Sequence, residues 1–150
     1  MKLNTRMLNT RAKVALVGAI VTGATLVPSV ASATPAYGVS GVIISQTTAA
    51  GKDYILRQIT IQPGGSTGWH YHDGTLYAVV ERGTLTHTES DCKTTATYGE
   101  GAVFVEDSGA GNVHIGRNLG STPVVLDVLY VDPAGSPLAE SVPNPGCSFQ

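Results

Sequence analysis

The stretch GWHYHDGTLYAVVERG, Gly68 to Gly83, decides how this chain is read. It carries two histidines one residue apart, His70 and His72, between a glycine-rich turn and an apolar run. On a β-strand, residues i and i+2 point to one face, so both imidazoles project to the same side while Trp69 and Tyr71 take the other. Their Cα atoms stand about 6.6 Å apart. From there two imidazoles can converge on one ion, about 2.1 Å from each nitrogen. Two ligands hold a metal poorly, and His114 in GNVHIGRN is the candidate third ligand from another strand.

The residues around this stretch read as all-β. From residue 40 onward, short runs rich in Val, Ile, Thr and Tyr alternate with Gly, Pro, Asp and Asn clusters. GVIISQTT and DYILRQITI flank AAGK, a hairpin signal. STGWHYH, TLYAVVE, TLTHTES, KTTATY, AVFVE, GNVHIGRN and PVVLDVLYV follow at short intervals. No later segment has a sustained helical period with caps. That spacing of strands suggests a sandwich or a barrel. By parity Leu76, Ala78 and Val80 share a face, which gives an apolar wall if that face is interior.

The first 33 residues read as a secretory signal peptide. Lys2, Arg6, Arg11 and Lys13 precede the uncharged run Val14 to Val27, and Ala31-Ser32-Ala33 offers a small-residue cleavage site. The run is shorter than the roughly 20 residues of a membrane span. Residues 34–150 then form a single domain, its core about 40–133 and its tail 134–150. The protein is expected to be exported, with no membrane attachment after cleavage. Four of the nine Lys and Arg lie in the leader, leaving five against eleven Asp and Glu, a formal charge of −6. An acidic surface without clustered Lys and Arg argues against nucleic acid as a partner. Cys92 and Cys147 are the only cysteines. In an oxidising compartment they are expected to pair, tethering a structureless Pro-rich tail. The closed loop is worth about 4 kcal/mol in the chain-entropy model.

GGSTGWHYHDGTLYAVVERG resembles the first motif of the cupin superfamily, in which Gly, five residues, His-x-His, three or four residues, Glu, six residues and Gly follow in order. Gly64, His70, His72 and Gly83 match it. GEGAVFVEDSGAGNVHIGRN resembles the second motif, with Gly111, His114 and Asn118 at its end and Gly109 where a proline is usual. The resemblance spans roughly 40–133. It implies a small antiparallel β-barrel, or jelly roll, with a metal inside one open end and pairing through the sheets into a homodimer. The glutamate ligand of the first motif falls at Leu76. His70, His72 and His114 remain, a neutral set that suits one divalent transition metal such as Zn, Fe, Ni or Cu.

Other residues are expected to stand apart from the site. His87 matches no ligand position and reads as a surface residue near the loop to Cys92. Asp73, Glu106 and Asp107 are the acids that could substitute for the missing glutamate, but Asp73 has the wrong parity, and Glu106 and Asp107 read as solvated rim charges. Asn118 either lines the pocket or closes a turn. Trp69 and Tyr71 are expected to pack between sheets or subunits. There is no phosphate-binding loop and no nucleophile motif. Two functions stay open at this point. One is a metalloenzyme of oxygenase, isomerase or hydrolase type acting on a small molecule. The other is a non-catalytic extracellular protein that binds a metal or small ligand, or whose site is vestigial.

Overall fold

The computed structural model describes residues 32–150, and the expected leader lies outside them apart from its last two residues. Ten strands follow in order: β1 (Tyr37–Ala49), β2 (Lys52–Ser66), β3 (His70–Tyr71), β4 (Thr75–Arg82), β5 (Thr84–Glu89), β6 (Thr95–Gly99), β7 (Val103–Glu106), β8 (His114–Arg117), β9 (Val124–Pro133) and β10 (Glu140–Ser141). Among the described residues there is no helix. The strands form one antiparallel, nearly closed barrel in the order β10-β3-β8-β2-β9-β4-β7, with β1 beside β2, and β5 between β6 and β8. This is the expected all-β barrel.

Local chemistry sets the corners. The β1–β2 hairpin turns through Ala50 and Gly51, both at positive φ (50° and 75°), which matches the mirror-image turns that suit twisted strands. Gly83 turns β4 into β5 at φ 80°, and a Cβ there would meet the Pro123 carbonyl oxygen at 2.6 Å. Any other residue would push β9 away from that corner.

Alternation along the central strands builds the core. On β9, Val124, Leu126, Val128, Tyr130 and Asp132 are buried while their neighbours are partly exposed. On β4, Leu76, Ala78 and Val80 are buried, as parity requires. They meet Ile55, Ile61, Leu85 and Phe104 in one cluster. At about 25 cal/mol per Å² of apolar surface, burying each large side chain contributes about 1.5–3 kcal/mol.

Three features differ from the sequence-based expectation. β3 holds only two residues, because Gly68 (φ 70°) breaks the extended run before Trp69. The tail is structured: Glu140 and Ser141 pair with Tyr71 and His70, and Val142 exchanges backbone contacts with Trp69 and Thr34. Trp69 is fully buried, with Phe149 of the tail stacked 6.0 Å away. Arg117 caps the outer face of Phe149, its guanidinium carbon 3.8 Å from the ring centre. Cys92 and Cys147 are bonded and hold this tail in place, Cα to Cα 5.4 Å.

Candidate metal centre

His70 and His72 stand on one face of β3 and just beyond it, and His114 is the direct cross-strand partner of His70 on β8. The ring centres lie 4.8 Å (His70–His72), 4.5 Å (His70–His114) and 5.3 Å (His72–His114) apart. One ring nitrogen from each falls within 4.8 Å of the other two. All three residues are buried.

Their second ring nitrogens are all engaged. His70 Nδ1 lies 2.9 Å from the Gly68 carbonyl oxygen, His72 Nδ1 2.7 Å from that of Leu138, and His114 Nδ1 2.8 Å from that of Asn112. A carbonyl oxygen can only accept, so each Nδ1 carries the proton and donates it. In the neutral ring, Nε2 is then left as a bare lone pair. Such backbone anchoring fixes both tautomer and ring angle in metal-ligating histidines. His70 is held neutral: burial, then the neighbouring His114 and His72, push its pKa down to about 3. The Nε2 atoms of His72 and His114 are buried without a hydrogen-bond partner. Buried polar atoms are rarely left so, and converging orphan lone pairs are what a cation would satisfy.

Glu106 completes the constellation, against expectation. It reads as a rim charge in the sequence, yet its side chain is only 14% exposed. On β7 it shares the inward face with Phe104, while Val103 and Val105 point out. Its Oε2 lies 3.2 Å from His72 Nε2 and 3.5 Å from His114 Nε2, and its Oε1 lies 3.3 Å from His87 Nε2. Burial alone would raise the Glu106 carboxyl pKa, but the imidazoles of His114, His72 and His87 outweigh it and hold the group well below its ordinary range. Glu106 is also the cross-strand partner of Leu76. A carboxylate therefore stands one strand away from Leu76, where the sequence resemblance expects the motif's glutamate.

His87 is likewise misjudged as a surface residue. It is buried on the same face as Leu85, stacks on His114 at 4.6 Å, and has Glu89 3.5 Å from its Nδ1. With Glu106 and His114 it forms a second cluster of donor atoms. Strand parity with Leu85 was the available signal. Asp73 and Asp107 are exposed. Asn118 does not face the cavity. Its Nδ2 donates to the Ile61 and Thr122 carbonyls and its Oδ1 accepts from Gly120 N–H, so it pins a turn.

The histidines open onto a small cavity of about 50 Å³ walled by Leu76, Ala78, Phe104, Leu126 and Val128. Three imidazoles and a carboxylate beside an apolar cavity can hold a divalent cation and present it to a small ligand.

A cupin domain model matches residues 57–131, and the chain belongs to the cupin family. Its fold is similar to that of the polyketide cyclase RemF from Streptomyces resistomycificus, at TM-score 0.60 and 18% identity over 81% of this chain and 86% of that one. It is also similar to a double-stranded β-helix domain protein from Klebsiella pneumoniae, at TM-score 0.56 and 17% identity over 69% and 84% of the two chains. A cupin domain from Bordetella pertussis aligns at TM-score 0.53 and 20% identity over 66% and 96%. No curated protein sequence matches the chain.

Proposed function

We propose that this protein is an exported metal-dependent cupin that acts on a small molecule, with His70, His72, His114 and Glu106 as the residues that hold one divalent ion. One observation carries the reading: three buried imidazoles, each with Nδ1 tied to a backbone carbonyl, bring ring nitrogens within 4.8 Å of one another beside an apolar cavity. When bound there, the ion would supply Lewis-acid polarisation of a substrate oxygen or activation of water, for oxygenase, isomerase or hydrolase chemistry. The chain's own residues do the rest. Leu76, Phe104 and Val128 exclude bulk water. Glu106, kept ionised, offsets the ion's charge or accepts a proton from a ligand within hydrogen-bond reach. Zinc, iron, nickel and copper all suit imidazole donors, and the carboxylate adds affinity for iron.

Export is supported by the disulfide, which is compatible with an oxidising location. Thr34, the first residue of the expected mature chain, is buried and bonded to Trp69 and Val142. Pairing into a homodimer is supported by β1, which meets only β2 and leaves Val42, Ile43 and Ile44 exposed. Sedimentation of the mature protein should give twice the monomer mass, and a monomer at tens of micromolar would remove the pairing.

The test of the centre is elemental analysis of the mature protein before and after loading. About one transition-metal ion per chain is expected. His114→Ala should lower occupancy at least tenfold with the fold retained by circular dichroism. Full occupancy in that variant would exclude the proposed centre, and no uptake by the parent would favour a non-catalytic or vestigial site.

A further inference from the structure

A second cavity, of about 260 Å³, adjoins the first and shares Ile59, Thr67, His70, His72 and Tyr130 with it. Its remaining wall includes Arg57. Arg57 lies on β2 in the inward series Ile55, Arg57, Ile59, Ile61, at a position where its neighbours are aliphatic. A charged residue there departs from the pattern of its own strand, and a guanidinium facing a cavity needs a partner for its five N–H groups.

Among the described residues no carboxylate lies within ion-pair distance of it, since the close pairs all involve histidines. The guanidinium is nevertheless given room. It lies flat against Gly41 on β1, where an added Cβ would come within 2.4 Å of Nε and of one terminal nitrogen. Gly41 has no positive φ, so backbone conformation does not call for glycine there. The space occupied by Arg57 does. Tyr130, 3% exposed and beside Arg57, adds a phenol that burial keeps protonated and able to donate.

We propose that Arg57, held over Gly41 and flanked by Tyr130, binds an oxyanion on the small molecule that enters this site, so that the ligand class is a small organic carboxylate with an apolar body. The guanidinium fork accepts a carboxylate through paired N–H···O contacts. The apolar part then lies against Ile59 and Val39, and the far end reaches the cavity bordered by His70 and His72. The inference names the substrate class for the centre proposed above and rests on that reading for its catalytic meaning. The anion contact itself needs no metal.

Calorimetric titration of the mature protein, metal-free and metal-loaded, with benzoate, phenylacetate and cinnamate against their primary amides tests it. At least one acid should bind about tenfold or more tightly than its amide, the range of a charge-assisted contact. Arg57→Gln should abolish that preference while leaving metal uptake as in the parent. Gly41→Ala, which keeps the charge but displaces the guanidinium, should weaken the acid selectively. Competition by inorganic phosphate would mark the site as one for phosphate instead and overturn the carboxylate class. Equal affinity for every acid and amide, no binding of any acid, or an acid preference that survives in Arg57→Gln, would overturn the proposal. An acid preference that depends on Arg57 in a protein taking up no metal would keep the anion site and remove the metal centre, so the two failures are distinct.

Discussion

At the scale of single residues, the site turns on where one carboxylate stands. The sequence resemblance expects the first motif's glutamate at Leu76, whose cross-strand partner Glu106 points at the histidines from the neighbouring strand. The swap Leu76→Glu with Glu106→Leu tests whether position or charge matters. Glu106→Leu alone should weaken metal binding about tenfold or more in a chelator competition, because an anionic donor is lost. Leu76→Glu alone sets two carboxylates side by side, which destabilises the metal-free barrel by repulsion and burial. The double variant should regain most of the affinity. If Glu106→Leu binds as tightly as the parent, the carboxylate plays no part in holding the ion. The sequence made His70, His72 and Leu76 legible because strict alternation on β3 and β4 settles which way each side chain points. Glu106 was hidden by its own strand. In VFVE one face carries Val103 and Val105 and the other Phe104 and Glu106, so parity does not mark the acid's face as inward, and a terminal acid defaults to solvent. His87 was legible in principle, since it shares the inward face with Leu85, but its value depends on a Glu106 that only the fold brings near.

At the scale of elements, the short β3 is held from both sides. β8 brings His114 opposite His70, and β10 pairs on its other edge. The Leu138 carbonyl just before β10 receives the Nδ1 proton of His72, so the tail sets the tautomer of a candidate ligand. Nothing in the tail sequence showed this, because it has no period and its contacts are through backbone atoms. The disulfide and the stack of Trp69 on Phe149 keep it there. Replacing both cysteines by serine should cost about 4 kcal/mol by the chain-entropy model. It should also redshift Trp69 fluorescence as the tail lifts. Metal affinity should fall about tenfold or more with it, as expected when a support of a ligand is lost. Destabilisation with unchanged metal affinity would show that His72 keeps its orientation without the tail.

At the scale of the whole molecule, the barrel buries its four histidines and Glu106 together, and this gives its stability a direction with pH. His70 has an ordinary pKa of 6.5 and is pushed down to about 3 in the fold. Between those values the unfolded chain binds a proton that the native protein refuses. Its contribution is therefore complete above pH 6.5 and is lost as pH falls toward 3. Glu106, held well below 4.5, acts in the same sense at lower pH, its contribution being lost as acid protonates the unfolded carboxyl first. Asp132 works the other way. Burial raises its pKa above 3.8, so the native state takes up its proton first, which softens the loss in strong acid. The interval from pH 6.5 down to about 5 thus holds the His70 contribution clear of Glu106 and Asp132. In metal-free protein, unfolding free energy should fall there with a slope approaching about 1.4 kcal/mol per pH unit. His70→Asn, which keeps a polar side chain but no titrating group, should flatten that limb and leave the steeper fall below pH 4.5. The measurement is denaturant unfolding at half-unit pH steps on both proteins after chelation. A flat profile in the parent, or an equal slope in the variant, would mean that His70 accepts its proton in the folded barrel as readily as in the open chain. The crowding of three imidazoles around one point would then be looser in solution than the buried cluster described here.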